Sequence, residues 1–176
     1  MRPGNERLRA GGRWLMAAFG LLMLLPSCRV SYSFTGGDVG EARTLTVELF
    51  QARAPLATPP SAQLLTETVR DVLLAQTPLK LARERGDVQY SGSITGYDVQ
   101  PVNIQANETA ALNRLTITAT VTYVNALEPK KNAEFTVSRF ADYSSSQDLT
   151  AVEAQLVNEI SKQLAQDIFD RTLGNW

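Results

Sequence analysis

Apolar and polar residues alternate along much of this chain, and the alternation predicts β-strands. The clearest stretch is 112–124, in which apolar positions alternate with threonines: Leu115, Ile117, Ala119, Val121 and Tyr123 against Thr116, Thr118, Thr120 and Thr122. A loop at 128–132 and a return at 134–142, through Phe135 and Val137, predict a long antiparallel hairpin. One face of this hairpin should be core and the other a row of threonines.

Less regular alternation predicts three more strands. In 44–50, the residues Leu45, Val47 and Leu49 share one face. In 88–99, the apolar parity changes at Gly96, from Val88, Tyr90 and Ile94 to Tyr97 and Val99, which predicts a β-bulge. A short alternation at 79–83 precedes a turn in which Gly86 can take positive φ.

Two segments show helical spacing instead. The first should begin at Thr58-Pro59 and end at Thr77-Pro78, with a stripe of Leu65, Val69, Val72 and Leu73. The second carries Leu149, Val152, Leu156, Ile160, Leu164 and Ile168, widened by Val157 and Phe169. Thr150 and Glu153 could form its capping box, and Gly174 suits the position after its end.

The order β-α-β-β-β-β-α predicts an α+β fold, because each helix has one apolar stripe to bury against a sheet. We expect both helices on one face of a mostly antiparallel sheet, with the threonine row on the other face. Such a polar face is either exposed to solvent or a surface for a partner.

The N-terminal residues have the layout of a secretory signal. Arginines precede the uncharged run 14–25, whose length as a helix is about 18 Å, too short for a hydrocarbon core of roughly 30 Å. The run ends at Leu25-Pro26-Ser27-Cys28, which resembles the lipobox of bacterial lipoproteins, although Pro26 is not the usual small residue. We therefore expect removal of 1–27 and acylation of Cys28; the alternative is an ordinary signal with a chance cysteine.

The composition of the chain after the expected signal excludes several classes of function. Segment 28–42 should be a lipid-anchored flexible tether, and 43–176 is one domain by its length. The chain has no histidine, which removes histidine-based triads and the commonest zinc ligand. The net charge of −1 becomes more negative once the basic signal is removed, which argues against nucleic-acid binding. No metal site, cofactor or catalytic motif is expected.

Three segments carry a family resemblance: NETAALNRLTIT at 107–118, RFADYSSSQDL at 139–149, and DIF at 167–169 with the final Asn175-Trp176. They are similar to a divergent branch of the LptE family of outer-membrane lipopolysaccharide-assembly lipoproteins. The resemblance implies two helices on a four-stranded sheet (β-α-β-β-β-α), with 79–83 as an extra or merged strand. It also implies a non-enzymatic plug inside an LptD-type β-barrel that helps to insert lipopolysaccharide.

Two sets of residues are candidates for these contacts. The barrel lumen would be met by Asn107, Asn113, Thr116, Thr118, Thr120 and Thr122, because the interior of such barrels is polar. Lipopolysaccharide phosphates would be met by Lys130 and Lys131 at the hairpin tip and by Arg114 and Arg139 in or beside the strands. The plain alternatives are an exposed strand face and solvated charges.

Two other classes of function stay open. The cluster Asp142, Ser144, Ser145, Ser146 and Asp148 could suggest a nucleophile site, but without histidine a helix-capping role is favoured. A lipidated accessory or pilot protein for another outer-membrane machine would share the anchor and the lack of chemistry. Arg29, in place of the aspartate that retains lipoproteins at the inner membrane, favours the outer membrane, with the domain facing the periplasm.

Overall fold

The computed structural model describes residues 37–102 and 112–174. The expected signal peptide, Cys28, the tether up to residue 36, Asn107 and the final Asn175-Trp176 lie outside the described residues. In chain order the elements are β1 (Thr44–Val47), β2 (Gln51–Ala52), α1 (Pro59–Gln76), β3 (Lys80–Leu81), β4 (Val88–Val102), β5 (Leu112–Asn125), a 3₁₀ turn (Pro129–Lys131), β6 (Ala133–Ser144) and α2 (Leu149–Thr172).

The sheet has the order β3-β1-β4-β5-β6, and β2 also pairs with β4. The long strands β4, β5 and β6 are antiparallel, whereas β1 and β2 run parallel to β4 and β3 runs parallel to β1. The α+β class is confirmed, with a mixed sheet of six strands in place of about four mostly antiparallel ones. Segment 79–83 contributes β3, a two-residue strand at one edge of the sheet.

The core lies between the sheet and the two helices, as the apolar patterns predict. The five alternating apolar positions of β5 that the pattern placed in the core are all buried: Leu115, Ile117, Ala119, Val121 and Tyr123. The helix stripes supply the other side of the core through Leu65, Val69, Leu73, Leu156, Ile160, Leu164 and Ile168. Among the described residues, no helix has both the length and the apolarity to cross a bilayer.

The boundaries of α1 are the predicted ones. Thr58 is its N-cap and exchanges side-chain and backbone hydrogen bonds with Ser61 in a capping box, and Thr77 is its C-cap. At α2 the predicted capping box is wrong, because the Asp148 carboxylate caps the helix by accepting from the Thr150 N–H at 3.0 Å. The Glu153 carboxylate accepts instead from the Tyr97 hydroxyl at 2.6 Å. That bond and burial both raise the pKa of Tyr97.

The single strand expected at 44–50 is broken, and its buried face changes. Leu49 is 66% exposed, while the neighbouring Phe50 is 1% exposed. The Phe50 N–H leaves the sheet and donates to the Thr66 hydroxyl of α1 at 3.0 Å. The Phe50 ring lies against Gly92, where an added Cβ would stand 2.7 Å from a ring carbon. Phe50 thus packs between α1 and β4, and this tertiary contact outweighs the local alternation of apolar and polar residues.

The two predictions about glycines have different outcomes. The bulge near Gly96 is confirmed, since the register of β4 against β5 shifts between Ile94 and Gly96. Gly86 does not adopt the positive φ that a glycine in this turn could take. Gly86 is needed for a different reason: an added Cβ would lie 2.8 Å from the backbone carbonyl carbon of Leu45, so only glycine lets these backbones approach so closely.

Candidate interaction face on the outer side of the sheet

The side of the sheet away from the helices is covered by hydroxyl groups. We call it the hydroxyl face and define it by Ser91, Ser93, Thr95, Thr116, Thr118, Thr120, Thr122, Thr136 and Ser138. It arises because successive side chains of a strand point to opposite faces, so burying the odd-numbered apolar positions of β5 turns its threonines outward.

Strand register aligns these hydroxyls into cross-strand rows. Thr120 lies between Ser93 of β4 and Thr136 of β6, and Thr118 is paired with Ser138. The Thr118 and Ser138 hydroxyl oxygens are 2.9 Å apart, and those of Thr120 and Thr136 are 3.3 Å apart. Because a hydroxyl both donates and accepts, each row retains hydrogen-bonding capacity for a partner.

One end of the hydroxyl face carries an ordered arginine. The Arg114 guanidinium donates to both carboxylate oxygens of Asp142, at 2.7 and 2.9 Å, and its central carbon lies 3.6 Å from the centroid of the Phe140 ring. This pairing raises the pKa of Arg114 and lowers that of Asp142. Phe140 is 46% exposed, so the cluster shows an aromatic surface as well as a charged one.

The predicted lysine pair lies at the opposite end of β5. Lys130 and Lys131 are both exposed in the 3₁₀ turn of the β5–β6 hairpin. Lys131 Nζ is 3.0 Å from Glu128 Oε1, which raises the pKa of Lys131. Lys130 forms no ion pair within the described part of the chain. Because β5 separates this tip from Arg114 by roughly 35 Å, the two basic sites cannot meet one small ligand.

Two other candidate residues lie on the helix side of the sheet. Arg139 pairs with Ile117, a core position, and its Nε donates to the Asp167 carboxylate of α2 at 2.6 Å. This pairing raises the pKa of Arg139. Asn113 has the same parity as the buried Leu115, so it faces away from the threonine row. The structure therefore does not bring the four basic candidates together, nor Asn113 with the threonines.

A polar pocket of about 300 Å³ opens at the other end of the hydroxyl face, near β1 and β2. Its floor is formed by small residues of β4 and β5: Ser91, Gly92, Ser93, Thr120 and Thr122. Its walls are the longer side chains of Glu48, Leu49, Gln51, Arg53 and Glu134. Sequence reasoning did not single out these wall residues, because their grouping depends on pairing between segments far apart in the chain.

The serine and aspartate cluster considered for catalysis has structural roles. Asp142 is held by Arg114, and Asp148 caps α2. The Ser144 and Ser146 hydroxyl oxygens are 2.7 Å apart, and the Ser146 N–H also donates to the Ser144 hydroxyl. These contacts form the turn between β6 and α2, which favours the capping interpretation over a nucleophile site.

A groove lies between the N-terminal halves of the helices, on the other surface of the molecule. It has a volume of about 500 Å³ and is lined mainly by apolar groups, among them Pro60, Leu64, Ala154 and Val157. The molecule thus offers two surfaces of different character, a hydroxyl-rich sheet face and a more apolar helix face.

Comparison with known proteins gives a family and several structural relatives. None of the curated proteins matches the chain. Among solved structures it is similar to rare lipoprotein B from Shewanella oneidensis, with 15% identity, coverage of 72% of this chain and 90% of that one, and a TM-score of 0.47. It is also similar to uncharacterized lipoprotein B from Nitrosomonas europaea, with 13% identity, coverage of 73% and 80%, and a TM-score of 0.46.

A minor lipoprotein from Acinetobacter baumannii has 16% identity, coverage of 73% of this chain and 91% of that one, and a TM-score of 0.43. The family assignment does not depend on these distant structural likenesses. It depends on the family model for lipopolysaccharide assembly, LptE, which matches residues 42–172 and so takes in both helices and the whole sheet. The chain therefore belongs to the LptE family of lipopolysaccharide-assembly proteins.

Proposed function

We propose that this protein is a non-enzymatic lipoprotein of the lipopolysaccharide-export complex at the outer membrane. In this role it plugs an LptD-type β-barrel, supports assembly of that barrel and assists the insertion of lipopolysaccharide. Membership of the LptE family supports a role in lipopolysaccharide assembly. The hydroxyl face is the single structural observation that carries the plug role, because it supplies a broad, uncharged, hydrogen-bonding surface on the sheet.

The polarity of the hydroxyl face matches that of a barrel interior. The interior of a large outer-membrane barrel is polar, so a plug has to offer hydrogen-bonding groups without burying unpaired charges. Across three strands, the central part of the hydroxyl face carries hydroxyls and no formal charge at Ser93, Thr118, Thr120, Thr136 and Ser138. Burying neutral hydroxyls against polar groups costs far less than burying charges. We therefore assign the barrel contact to this face, with Thr116 and Thr122 at its ends.

For lipopolysaccharide, the preferred contact is the hairpin tip. Lys130 has no carboxylate partner in the described residues, and Lys131 is tied only to the exposed Glu128. At Arg114 and Arg139 a phosphate would have to displace Asp142 or Asp167, so these arginines are secondary contacts in the proposal. Of the four basic candidates, Lys130 is the one that pairs with no carboxylate among the described residues, so a phosphate could bind there without such an exchange.

Acylation of Cys28 would hold the domain at the periplasmic side of the outer membrane. Since stable anchoring needs more than one acyl chain, the pattern of a fully processed lipoprotein would suffice. Cys28→Ala should leave the fold intact and shift the protein from the membrane fraction to the soluble fraction. Recovery of Cys28→Ala in the membrane fraction would show that the protein partner, and not the lipid, retains it.

Affinity purification of the tagged full-length chain from solubilised envelopes tests the proposal as a whole. Co-purification of a large lipopolysaccharide-export barrel is the expected result. Recovery of a secretin ring or another secretion machine without such a barrel would contradict the proposal and favour the accessory or pilot role. Recovery of neither would also contradict it, provided that the tag is shown to be accessible.

A further inference from the structure

We propose that the polar pocket at the β1–β2 end of the hydroxyl face binds a neutral sugar ring of an oligosaccharide. The proposal goes beyond the barrel contact and beyond the phosphate contact at the Lys130–Lys131 tip. The pocket floor includes Ser93, Thr120 and Thr122 of the hydroxyl face, so at this end of the face the sugar would lie between the sheet and the barrel wall. Only the natural source of the sugar, the saccharide part of lipopolysaccharide, rests on the proposed function. The chemistry of the pocket stands by itself.

The register of the sheet shapes this pocket as a trough. Glu134 of β6 is paired with Thr122 of β5, which is paired with Ser91 of β4. On the far side, the Glu48 N–H donates to the carbonyl of Tyr90, next to Ser91, at 2.8 Å. Glu48 and Glu134 therefore form opposite walls, about three strand spacings or roughly 14 Å apart at their backbones. Short hydroxyl side chains between them leave room for a ring.

The hydrogen-bonding groups of the trough suit a ligand rich in hydroxyls. The floor hydroxyls of Ser91, Ser93, Thr120 and Thr122 can each donate and accept. The wall carboxylates of Glu48 and Glu134 only accept, and the Arg53 guanidinium only donates. Adjacent hydroxyls of a sugar ring need donors and acceptors side by side, and this pocket presents both.

The charged groups argue against the two obvious charged ligands. Two carboxylates and one guanidinium line the pocket, so a phosphate would meet net negative charge. A lysine or arginine from a partner would be attracted by the two carboxylates but repelled by Arg53, which is held within the pocket by hydrogen bonds to Gln51 Oε1 at 3.1 and 3.0 Å. Neither carboxylate forms an ion pair among the described residues. A neutral ligand satisfies all three groups without placing like charges together.

The rim supplies an apolar contact as well. Leu49 lines the pocket and is 66% exposed. One face of a sugar ring consists of C–H groups, which can cover Leu49 while the hydroxyl edge faces the trough. Burial of part of this leucine would contribute favourably on binding.

The test is calorimetric titration of the full-length chain, purified in a detergent without a sugar headgroup. One probe is the core oligosaccharide of lipopolysaccharide, freed of lipid and of phosphate; a second is maltotriose; a third is inorganic phosphate. We expect the core oligosaccharide to bind, phosphate not to bind, and low sensitivity to salt. Maltotriose binding of equal strength would show that the pocket accepts neutral sugars from any source, and weaker binding would identify lipopolysaccharide as the source.

Variants assign the binding to the pocket. Glu48→Ala with Glu134→Ala should weaken oligosaccharide binding at least about tenfold, because two charged acceptors are lost. Ser91→Gln, which fills the floor without adding charge, should do the same by exclusion. Glu159→Ala is the matched control, since it removes an exposed carboxylate from α2 and should leave the affinity unchanged. Thermal unfolding of each variant checks that the fold is retained.

Three results would overturn the sugar site. They are absence of oligosaccharide binding by the unchanged chain, equal binding by the pocket variants, and binding that requires phosphate and falls steeply with salt. None of these depends on the barrel, because the titration uses the isolated protein. Conversely, loss of barrel co-purification with sugar binding intact would count against the proposed function alone, so the two failures are distinguishable.

Discussion

The substitution Thr118→Lys tests the proposed barrel contact most directly. Thr118 lies at the centre of the hydroxyl face, between Gly96 of β4 and Ser138 of β6, and its side chain is partly exposed. The change removes one hydroxyl and places a charge where the proposal requires a neutral surface. It touches no core position, because Thr118 points away from the helices.

The expected effect on folding is small. The substitution removes the hydrogen bond between the Thr118 and Ser138 hydroxyls, which are 2.9 Å apart. A neutral hydrogen bond of this kind contributes about 0.5–1.5 kcal/mol, and the lysine ammonium can extend into water. We expect the free energy of unfolding to fall by about 1 kcal/mol and the melting temperature by a few degrees.

The expected effect on the complex is much larger. Against a barrel wall, the ammonium of the introduced lysine would be removed from water without a carboxylate or other acceptor placed to receive it. An uncompensated interfacial charge costs about 2–5 kcal/mol, which corresponds to a roughly thirty- to five-thousand-fold loss of affinity. Partner association should therefore be lost under conditions in which the isolated protein remains folded.

Two measurements on the same variants separate these effects. Urea unfolding of the purified chain gives the stability, and recovery of the barrel with the tagged chain gives the association. Gln155→Lys is the matched control, because it introduces the same charge at an exposed position of α2. It should leave both measurements close to those of the unchanged chain.

The opposite results would place the barrel contact elsewhere on the molecule. If Thr118→Lys retained the barrel while Gln155→Lys lost it, the helix layer and its apolar groove would be the docking surface. If both variants retained the barrel at normal yield, neither face at these positions would be buried in the complex. A drop in stability of several kcal/mol for Thr118→Lys would show that the hydroxyl row belongs to the folding core.

Three further predictions concern other parts of the molecule. Gly92→Ala should destabilise the fold by about 1–3 kcal/mol in urea unfolding, because the new Cβ would lie 2.5 Å from the Thr120 carbonyl oxygen. Asp87 accepts three hydrogen bonds that lower its pKa, so its contribution to stability is complete above about pH 4 and is lost as pH falls through its folded-state pKa. The stability difference between the unchanged chain and Asp87→Asn should thus be constant from about pH 5 to 7 and shrink at lower pH, and a difference that grew on acidification would contradict this. Changing Lys130 and Lys131 to glutamate should weaken lipopolysaccharide binding in a pull-down, and unchanged binding would remove the hairpin tip from the proposal.

Much of the fold could be predicted because periodicity is a local property. The buried odd-numbered positions of β5 and the apolar stripes of α1 and α2 are where the pattern places them. Thr58 and Pro59 mark the start of α1 for a purely local reason, since capping involves only neighbouring residues. The parity change at Gly96 also identified the β-bulge without any knowledge of the partner strand.

Other features depend on contacts between distant segments. The alternation in 44–50 predicted Leu49 in the core, but Phe50 takes the buried position because Gly92 and Thr66 offer it a site. The turn at Gly86 allowed a left-handed glycine, whereas close approach to the backbone of Leu45 is what requires the glycine. In both cases a tertiary contact outweighs a local preference, as is common for strand segments.

For the candidate sites, too, some features follow from the local sequence and others from contacts between distant segments. The sequence by itself determined the α+β class, the threonine row, the expected signal and lipobox, and the absence of histidine chemistry. Only the tertiary structure decided that Arg114 and Arg139 lie on opposite faces of the sheet, and that Glu48 and Glu134 form two walls of one pocket. The physical reason is that side-chain direction along a strand follows a local period of two, whereas the grouping of side chains depends on the register between strands.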